Sequence, residues 1–280
     1  MSLLAKLSDK EYGLISQLVY DKFGINLGEQ KRALIVGRLN KVLNQNGFST
    51  FEEYYNYLIK EQSGEALKTL VDRISTNHTF FWRENDHFEY FIKTVLPEIS
   101  EELKDQKNRS LKIWCSGCSS GEEPYTLAML LREYYGASLS SWDTGILATD
   151  ISSQALDKAI NGVYTDDNVS KLPPHLRNAY FKKNADAQLE VIPALKNMIM
   201  YRRLNLIAES YPFKNKFNII FCRNVMIYFD KPTREALLSR YSRYIVDGGY
   251  LFIGHSESLG RVTHDFTYVK PAVYRKRMLR

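Results

Sequence analysis

Cysteine is scarce in this chain, with only Cys115, Cys118 and Cys222 among 280 residues. Three thiols are too few for the disulfide frameworks that stabilise small secreted proteins. The spacing of Cys115 and Cys118 would suit half of a zinc site, but no second pair of ligands follows, so we expect no metal. Histidine is also scarce, and no catalytic arrangement of the five histidines stands out.

Long hydrophobic runs are missing as well. No apolar stretch approaches the roughly 18 residues of a transmembrane helix, and residues 1–11 (MSLLAKLSDKE) lack the apolar centre of a signal peptide. Hydrophobic residues make up 44% of the chain and charged residues 25%, which is ordinary for a soluble globular protein. We therefore expect a cytoplasmic protein with one large domain or two smaller ones.

Residues 1–75 predict an all-helical domain. A capping box at Ser8 and Glu11 begins an amphipathic helix, and Gly24 is placed to end it. The same kinds of signal predict further helices over residues 29–46, 51–59 and 65–74.

The chain carries a formal net charge of +6, unevenly distributed. Residues 196–245 hold ten Lys and Arg against three Asp and Glu. In the second helix, Lys31, Arg38 and Lys41 form a basic stripe at helical spacing, which predicts either a solvated face or a docking surface. A basic surface suits nucleic acid or an acidic protein, and charge alone does not separate the two.

Beyond residue 75 the pattern changes from helices to alternating strands and helices. Residues 76–104 predict a polar–aromatic linker and a connecting helix that is interrupted near Pro97. Residues 105–280 predict a doubly wound α/β domain, with a mostly parallel sheet covered by helices on both faces. The predicted strands lie near 111–116, 145–150, 217–223 and 249–254, with a terminal antiparallel pair at 267–270 and 272–276.

The alternation stops between residues 161 and 203. Residues 189–192 and 198–201 have the character of two short strands, and the turn between them contains Pro193 but no glycine. This segment predicts a small antiparallel β-insertion in the α/β domain.

Residues 113–126 (IWCSGCSSGEEPYT) predict a strand, a tight turn and a helix start. Gly117 and Gly121 allow the backbone to turn sharply, and Ser119 and Ser120 are expected to cap the helix. No lysine follows as in a phosphate-binding loop, and the G-x-G-x-x-G dinucleotide pattern is missing. The turn suits S-adenosylmethionine (SAM), although a capped strand–turn–helix is common in α/β proteins.

Two later strands also end in polar side chains. Asp150 ends the second predicted strand, where an acid accepts hydrogen bonds from a ribose diol. Asp150 lies farther from Gly117 along the chain than the usual spacing of about 20 residues. The loop before the strand can accommodate the additional residues. Arg223 and Asn224 end the third strand. Because ligands bind at the carboxyl ends of parallel strands, three such ends predict one site.

With these motifs in view, nearly the whole chain resembles the chemotaxis receptor methyltransferases (CheR), which use SAM to methylate glutamate side chains of receptor cytoplasmic helices. The resemblance is carried by residues 76–83 (TNHTFFWR), 121–125 (GEEPY), 148–150 (ATD) and 221–230 (FCRNVMIYFD). It implies SAM as the cofactor, S-adenosylhomocysteine as the product, and recruitment to receptor arrays, with the membrane reached only through receptors.

The resemblance also implies roles for particular residues. Asn77, Thr79 and Arg83 would contact the cofactor from the linker. The remaining cofactor contacts would come from Glu123, Asp150, Asn205, Leu206, Arg223 and Asn224, with Tyr228 near the methyl group. Each has a plainer alternative: Glu123 or Asp150 could cap a helix, Arg83 could pair with a neighbouring acid, and Tyr228 could be a core residue.

A glutamate substrate needs no general base, because its side chain has a pKa of about 4.3 and is already a carboxylate at neutral pH. We expect Arg83 to orient this carboxylate and Tyr228 to offer a neutral hydrogen bond. We expect Lys31, Arg38 and Lys41 to dock the acidic receptor helices.

Some family members tether a receptor C-terminal pentapeptide through the β-insertion. The compact, glycine-free turn predicts no tether here. The alternatives to this function are a SAM-binding regulator without turnover and a nucleic-acid methyltransferase. We expect no nucleic-acid partner, and a monomer, although the sequence does not reveal the oligomeric state.

Overall fold

The computed structural model describes residues 5–260 and 265–278. Its N-terminal part consists of helices packed around their own hydrophobic core, which includes Ile15, Leu39 and Leu70. The capping boxes at Ser8 and Thr50 are both formed, and Gly24 ends the first helix in the left-handed conformation, as predicted. The helices are α1 (Asp9–Phe23), α2 (Arg32–Asn46), α3 (Phe51–Lys60) and α4 (Glu65–Ile74).

A connecting helical segment follows the linker. It consists of α5 (Asn85–Tyr90), a π-helical turn (Phe91–Val95) and α6 (Leu96–Asp105). The predicted interruption is present, but the π-helical turn makes it and Pro97 lies in the first turn of α6.

In the described part of the chain, a seven-stranded sheet has the strand order β6-β2-β1-β7-β8-β10-β9. The strands from β6 to β8 are parallel, and β9 and β10 form the predicted antiparallel pair. The strands of this sheet are β1 (Ser110–Cys115), β2 (Asp143–Asp150), β6 (Ile199–Arg203), β7 (Phe217–Cys222), β8 (Ile245–Ile253), β9 (Phe266–Lys270) and β10 (Val273–Lys276).

Both faces of the sheet are covered. Ile113 packs into the core shared with α7, whereas the next residue, Trp114, packs into the core shared with α12. This alternation confirms the doubly wound α/β prediction. The remaining helices are α7 (Glu122–Tyr135), α8 (Ser153–Asn161), α9 (Asp166–Val169), α10 (Pro174–Tyr180), α11 (Pro193–Lys196) and α12 (Lys231–Tyr244). No helix in residues 5–260 and 265–278 is both long and apolar enough to span a membrane.

The antiparallel insertion exists, but its predicted pairing is wrong. It is a three-stranded sheet formed by β3 (Val163–Tyr164), β4 (Phe181–Lys183) and β5 (Leu189–Val191). The predicted strand at 198–201 does not pair with β5 and instead lies parallel to β2, with Ile199 beside Ile146. The short helix α11 carries the chain back to the main sheet, where β6 pairs with the otherwise open edge of β2.

The N-terminal helices contact the carboxyl end of the sheet at Gly24. A Cβ atom at this position would lie 2.4 Å from the Cγ2 atom of Ile207, so the approach requires glycine. Two hydrogen bonds of 2.8 Å join the same parts: Asn205 Nδ2 donates to the carbonyl of Lys22, and the Tyr20 hydroxyl donates to Asp230. The helices therefore form one wall of a cleft at the strand ends.

Candidate active site

A cavity of about 410 Å³ lies between the N-terminal helices, the linker and the carboxyl ends of β1, β2 and β7. All the residues predicted to bind the cofactor or act in catalysis line it: Asn77, Thr79, Arg83, Glu123, Asp150, Asn205, Leu206, Arg223, Asn224 and Tyr228. The structure therefore brings together side chains from five separate parts of the sequence, although their individual roles stay predictions.

The turn after β1 is built differently from the expectation. Gly121, not a serine, occupies the N-cap of α7, with a φ of 99° and no side-chain cap. A Cβ atom there would lie 3.0 Å from the backbone of Ala159, so glycine is required for both conformation and space. The Ser119 hydroxyl donates to the Asn77 carbonyl at 3.0 Å, and the Ser120 hydroxyl donates to Glu122. The prediction of a serine cap is wrong, and Ser119 instead attaches the linker to the turn.

Asp150 braces this turn from the end of β2. Its carboxylate accepts the backbone N–H groups of Ser119 at 2.8 Å and Ser152 at 2.9 Å. Burial raises the pKa of Asp150, and these donors oppose the rise. Ser152, not Asp150, caps α8. Because a carboxylate can accept about four hydrogen bonds, Asp150 retains capacity for a ribose diol in the cavity.

Arg223 lies buried between two glutamates. Its guanidinium is 3.2 Å from Glu84 and 3.1 Å from Glu123, and the arginine side chain is only 2% exposed. Burial raises the pKa of Glu123, despite Arg223 and a 2.9 Å hydrogen bond from the Cys115 thiol. Burial would also raise the pKa of Glu84, but Arg223 and donors from Asn224 and His255 lower it overall.

Sequence reasoning missed Glu84. Its backbone has a φ of 56°, which is strained for a residue with a side chain. Its carboxylate accepts hydrogen bonds from the side chains of Arg223 and Asn224, and Arg223 also donates to the carbonyl of Arg83. One feature of the sequence could have identified Glu84 as a site residue, since it directly follows the linker motif that ends in Arg83.

Arg83 and Tyr228 reach the cavity from different elements. The Arg83 guanidinium donates to the carbonyl of His78 at 2.8 Å and lies 5.8 Å from the ring centre of Phe80. Arg83 therefore does not pair with Glu84 or Asp86 as its plainer alternative required. The Tyr228 hydroxyl donates to the carbonyl of Thr76 at 3.2 Å, and burial raises its pKa. Tyr228 is thus a neutral donor at physiological pH.

The predicted basic stripe is not one free face. Lys31 lines the cavity, with its ammonium 4.8 Å from the ring centre of Tyr228. The Arg38 guanidinium donates to the carbonyls of Ile74 and Ser75, both at 2.9 Å, and so caps the end of α4. Lys41 lies in a second groove of about 470 Å³, beside the cavity, with the basic residues Arg38, Arg73 and Lys158 among those lining it.

Among the described residues, one cluster could hold a metal: Glu84, His87 and His255, whose ligand atoms lie within 4.8 Å of one another. The fit is poor, because the Glu84 carboxylate already accepts from the Arg223 guanidinium, which would repel a cation. His87 is fully buried, and burial lowers its pKa to about 4. Of the three residues, Glu84 pairs with Arg223, whereas the His255 side chain pairs with Asp86.

Comparison with known proteins identifies the family. Residues 10–75 match the model of the CheR methyltransferase all-alpha domain, and residues 77–275 match that of the CheR methyltransferase SAM binding domain. The chain belongs to the CheR methyltransferase family. Its matched segments meet at the linker, where Thr76 separates them.

Relatives in this family align with nearly the full chain. A chemotaxis protein methyltransferase of Borreliella burgdorferi is 42% identical, over 98% of this chain and 97% of its own. A chemotaxis protein methyltransferase of Escherichia coli K12 is 33% identical, over 96% of this chain and 91% of its own. Among solved structures, the methyltransferase domain of bacterial CtHen1 aligns with a TM-score of 0.31 and 15% identity, over 57% of this chain and 63% of that one.

Replacing Arg223 with methionine should destabilise the protein by about 3–5 kcal/mol, because two buried carboxylates lose their counter-ion. Without Arg223, burial raises the folded-state pKa of both carboxyl groups, Glu84 and Glu123, above the unfolded-state value of about 4.3. The folded state then binds protons more tightly than the unfolded state, so stability falls as pH rises above that value. Urea unfolding at pH 5 and pH 8 should show the larger deficit at pH 8.

Arg275→Met is a matched control, since Arg275 also joins two glutamates, Glu98 and Glu102, but remains 27% exposed. Its ion pairs should contribute only about 0–1 kcal/mol each. Equal losses in the two variants, with no dependence on pH, would contradict the electrostatic role of Arg223.

Proposed function

We propose that this protein transfers the methyl group of SAM to glutamate side chains on the cytoplasmic helices of chemotaxis receptors, giving methyl esters and S-adenosylhomocysteine. The observation that carries the proposal is the assembly of the family motifs around one cavity at the carboxyl ends of β1, β2 and β7. The relatives named chemotaxis protein methyltransferase, aligned over nearly their full length, support the same reaction.

The cavity suits a cofactor of this kind. Its volume of about 410 Å³ falls within the range of about 300–1,000 Å³ usual for small-molecule sites. In the proposed arrangement, Asp150 binds the ribose diol, Asn205 and Leu206 lie beside the adenine, and Asn77 and Thr79 contact the cofactor from the linker. SAM supplies an electrophilic methyl group on a positively charged sulfur.

The protein's contribution is positioning. The substrate glutamate is ionised at neutral pH and attacks without a general base. Holding two reactants in line can lower the barrier by about 7–11 kcal/mol. Carboxylate and sulfonium lose their charges as they combine, so tight cationic pairing of the carboxylate would slow the attack. In this proposal Arg83 orients the carboxylate. The neutral hydroxyl of Tyr228, whose single proton goes to the carbonyl of Thr76 in this structure, donates to the substrate near the methyl group once the carboxylate replaces that carbonyl as its acceptor.

The deciding experiment is methyl transfer from radiolabelled SAM to a receptor cytoplasmic fragment, followed by mild alkali. We expect label that is released as volatile methanol, since alkali hydrolyses carboxyl methyl esters. Alkali-stable label on protein or nucleic acid would show that the methyl acceptor is not a glutamate side chain. Salt-dependent DNA binding would favour the nucleic-acid alternative. SAM binding without any transfer would favour a regulator.

The same assay tests whether a pentapeptide tether is needed. The turn at Pro193, on which the prediction of no tether rested, is not a hairpin loop, because α11 leads there to β6 of the main sheet. The hairpin loop of the insertion instead joins β4 to β5 through residues 184–188 (NADAQ), which also contain no glycine. We therefore propose that this loop does not tether a receptor tail. A receptor fragment cut before its C-terminal pentapeptide should be methylated at the same rate as the uncut fragment, and a much slower rate would refute tether independence.

Arg83→Ala should reduce kcat by about 100-fold, the scale expected when a reactant is misplaced by about 1 Å. SAM affinity, measured by calorimetry, should change far less, because the proposed role is toward the glutamate. A collapse of SAM affinity with little separate loss in kcat would make Arg83 a cofactor-binding residue alone.

We propose that the acidic receptor helix docks along the second groove, where Lys41 is exposed and Arg73 and Lys158 also line the surface. The groove shares Leu34, Ser75 and Asn77 with the cofactor cavity, so a helix bound there would pass its entrance. Of the predicted stripe, Arg38 is less suited to docking because it caps α4.

Reversing two of these charges, with Lys41→Glu and Lys158→Glu, should raise the receptor KM by about fivefold or more, since each exposed ion pair contributes up to about 1 kcal/mol. The effect should shrink at high salt, and SAM affinity should be unchanged. Lys214→Glu is the control, because Lys214 is exposed before β7, at the opposite end of the sheet. An equal rise in KM for the control would refute a specific groove.

A further inference from the structure

The turn that presents Tyr228 has an unusual backbone. It begins at Asn224, whose φ is 58°, and continues into a 3₁₀ turn over Met226–Tyr228. Left-handed backbone costs free energy in a residue with a side chain and persists only where the surroundings hold it. The position of the Tyr228 hydroxyl therefore depends on whatever holds this turn.

Glu257, in the loop after β8, holds it. One carboxylate oxygen accepts the backbone N–H of Asn224 at 3.0 Å and that of Gly254 at 2.6 Å. The other oxygen accepts the N–H of Ile227 at 3.1 Å. One side chain thus fixes the start and the middle of the turn to the end of β8. Burial raises the pKa of Glu257, and these N–H groups counter the rise.

The turn also packs directly on Gly254. A Cβ atom there would lie 2.8 Å from the backbone nitrogen of Asn224, so only glycine allows this approach. Glu257 itself does not line the cofactor cavity, whereas Asn224, Ile227 and Tyr228 do. Its carboxylate therefore acts on the cavity only through the backbone of the turn.

We propose that Glu257 is a positioning residue for methyl transfer, holding the Tyr228 hydroxyl where the methyl group passes to the substrate. The inference rests on the proposed function. It requires a carboxylate specifically, because both oxygens accept N–H groups. Glutamine would keep the size of the side chain, but its NH₂ group would face a backbone donor on one side.

The test compares Glu257→Gln with the wild type and with Glu53→Gln. Glu53 also accepts two backbone N–H groups, those of Ser49 and Thr50, but lies at the start of α3. We expect Glu257→Gln to lower kcat about 10- to 100-fold, as for a reacting group moved by up to about 1 Å. Receptor KM should stay within about twofold, and SAM affinity should fall by less than kcat does, since Asn224 in the same turn is itself a predicted cofactor contact. Glu53→Gln should match the wild type.

Two further measurements separate positioning from general stability. Hydrogen exchange should speed up in residues 222–229 and at Gly254 of Glu257→Gln, with exchange elsewhere in the chain unchanged. Combining it with Tyr228→Phe should lower kcat no further than Tyr228→Phe alone, because both changes remove the same contribution. Additive effects, or a normal kcat in Glu257→Gln, would overturn the inference.

Failure of the proposed function gives a different result. If the wild-type protein transferred no methyl group to receptor glutamates, that function would fail and the catalytic role of Glu257 would fall with it. Exchange in residues 222–229 would still show whether Glu257 holds the turn. If the wild type and Glu257→Gln transfer methyl groups equally well, only the inference about Glu257 is overturned.

Discussion

The buried arginine Arg223 organises the site. It ends the most deeply buried strand, β7, and joins Glu84 of the linker to Glu123 of α7. Removing three charged groups from water is costly unless each is paired and hydrogen-bonded. The low-dielectric surroundings that impose this cost also fix the geometry, because any displacement of one partner leaves another unpaired. The linker, the turn after β1 and the end of β7 are therefore held in one arrangement.

The linker gains its structure from these contacts. Between α4 and α5 it forms no regular element, and its backbone groups bond to the two parts on either side. The carbonyl of Asn77 accepts from Ser119, that of Thr76 accepts from Tyr228, and those of Ile74 and Ser75 accept from Arg38. A segment held in this way can contribute Arg83 to a site whose other walls belong to the helices and the sheet.

Much of this arrangement followed from local sequence. The capping boxes at Ser8 and Thr50, the alternation of the main strands and helices in the α/β part and the residues at the three strand ends were predicted, because each depends on side chains a few positions apart. The resemblance to a family added the specific roles of Arg223 and Asn224 as cofactor contacts. The pairing of β6 was mispredicted, since a short strand of alternating apolar residues suits either edge of a sheet.

The sequence alone determined where most of the helices and strands lie, β3 and β4 excepted, and that the carboxyl ends of β1, β2 and β7 carry polar side chains. Only the tertiary structure decided what those side chains contact. Glu84 and Glu257 gave no periodic or motif signal, since Glu84 is more than 100 residues from Arg223 and Glu257 is about 30 residues from the turn that it holds. Arg38 and Lys41 belong to one helical stripe, yet one caps α4 and the other lines a groove. Helical spacing specifies which residues lie on the same face of a helix. Packing between distant segments specifies what covers that face.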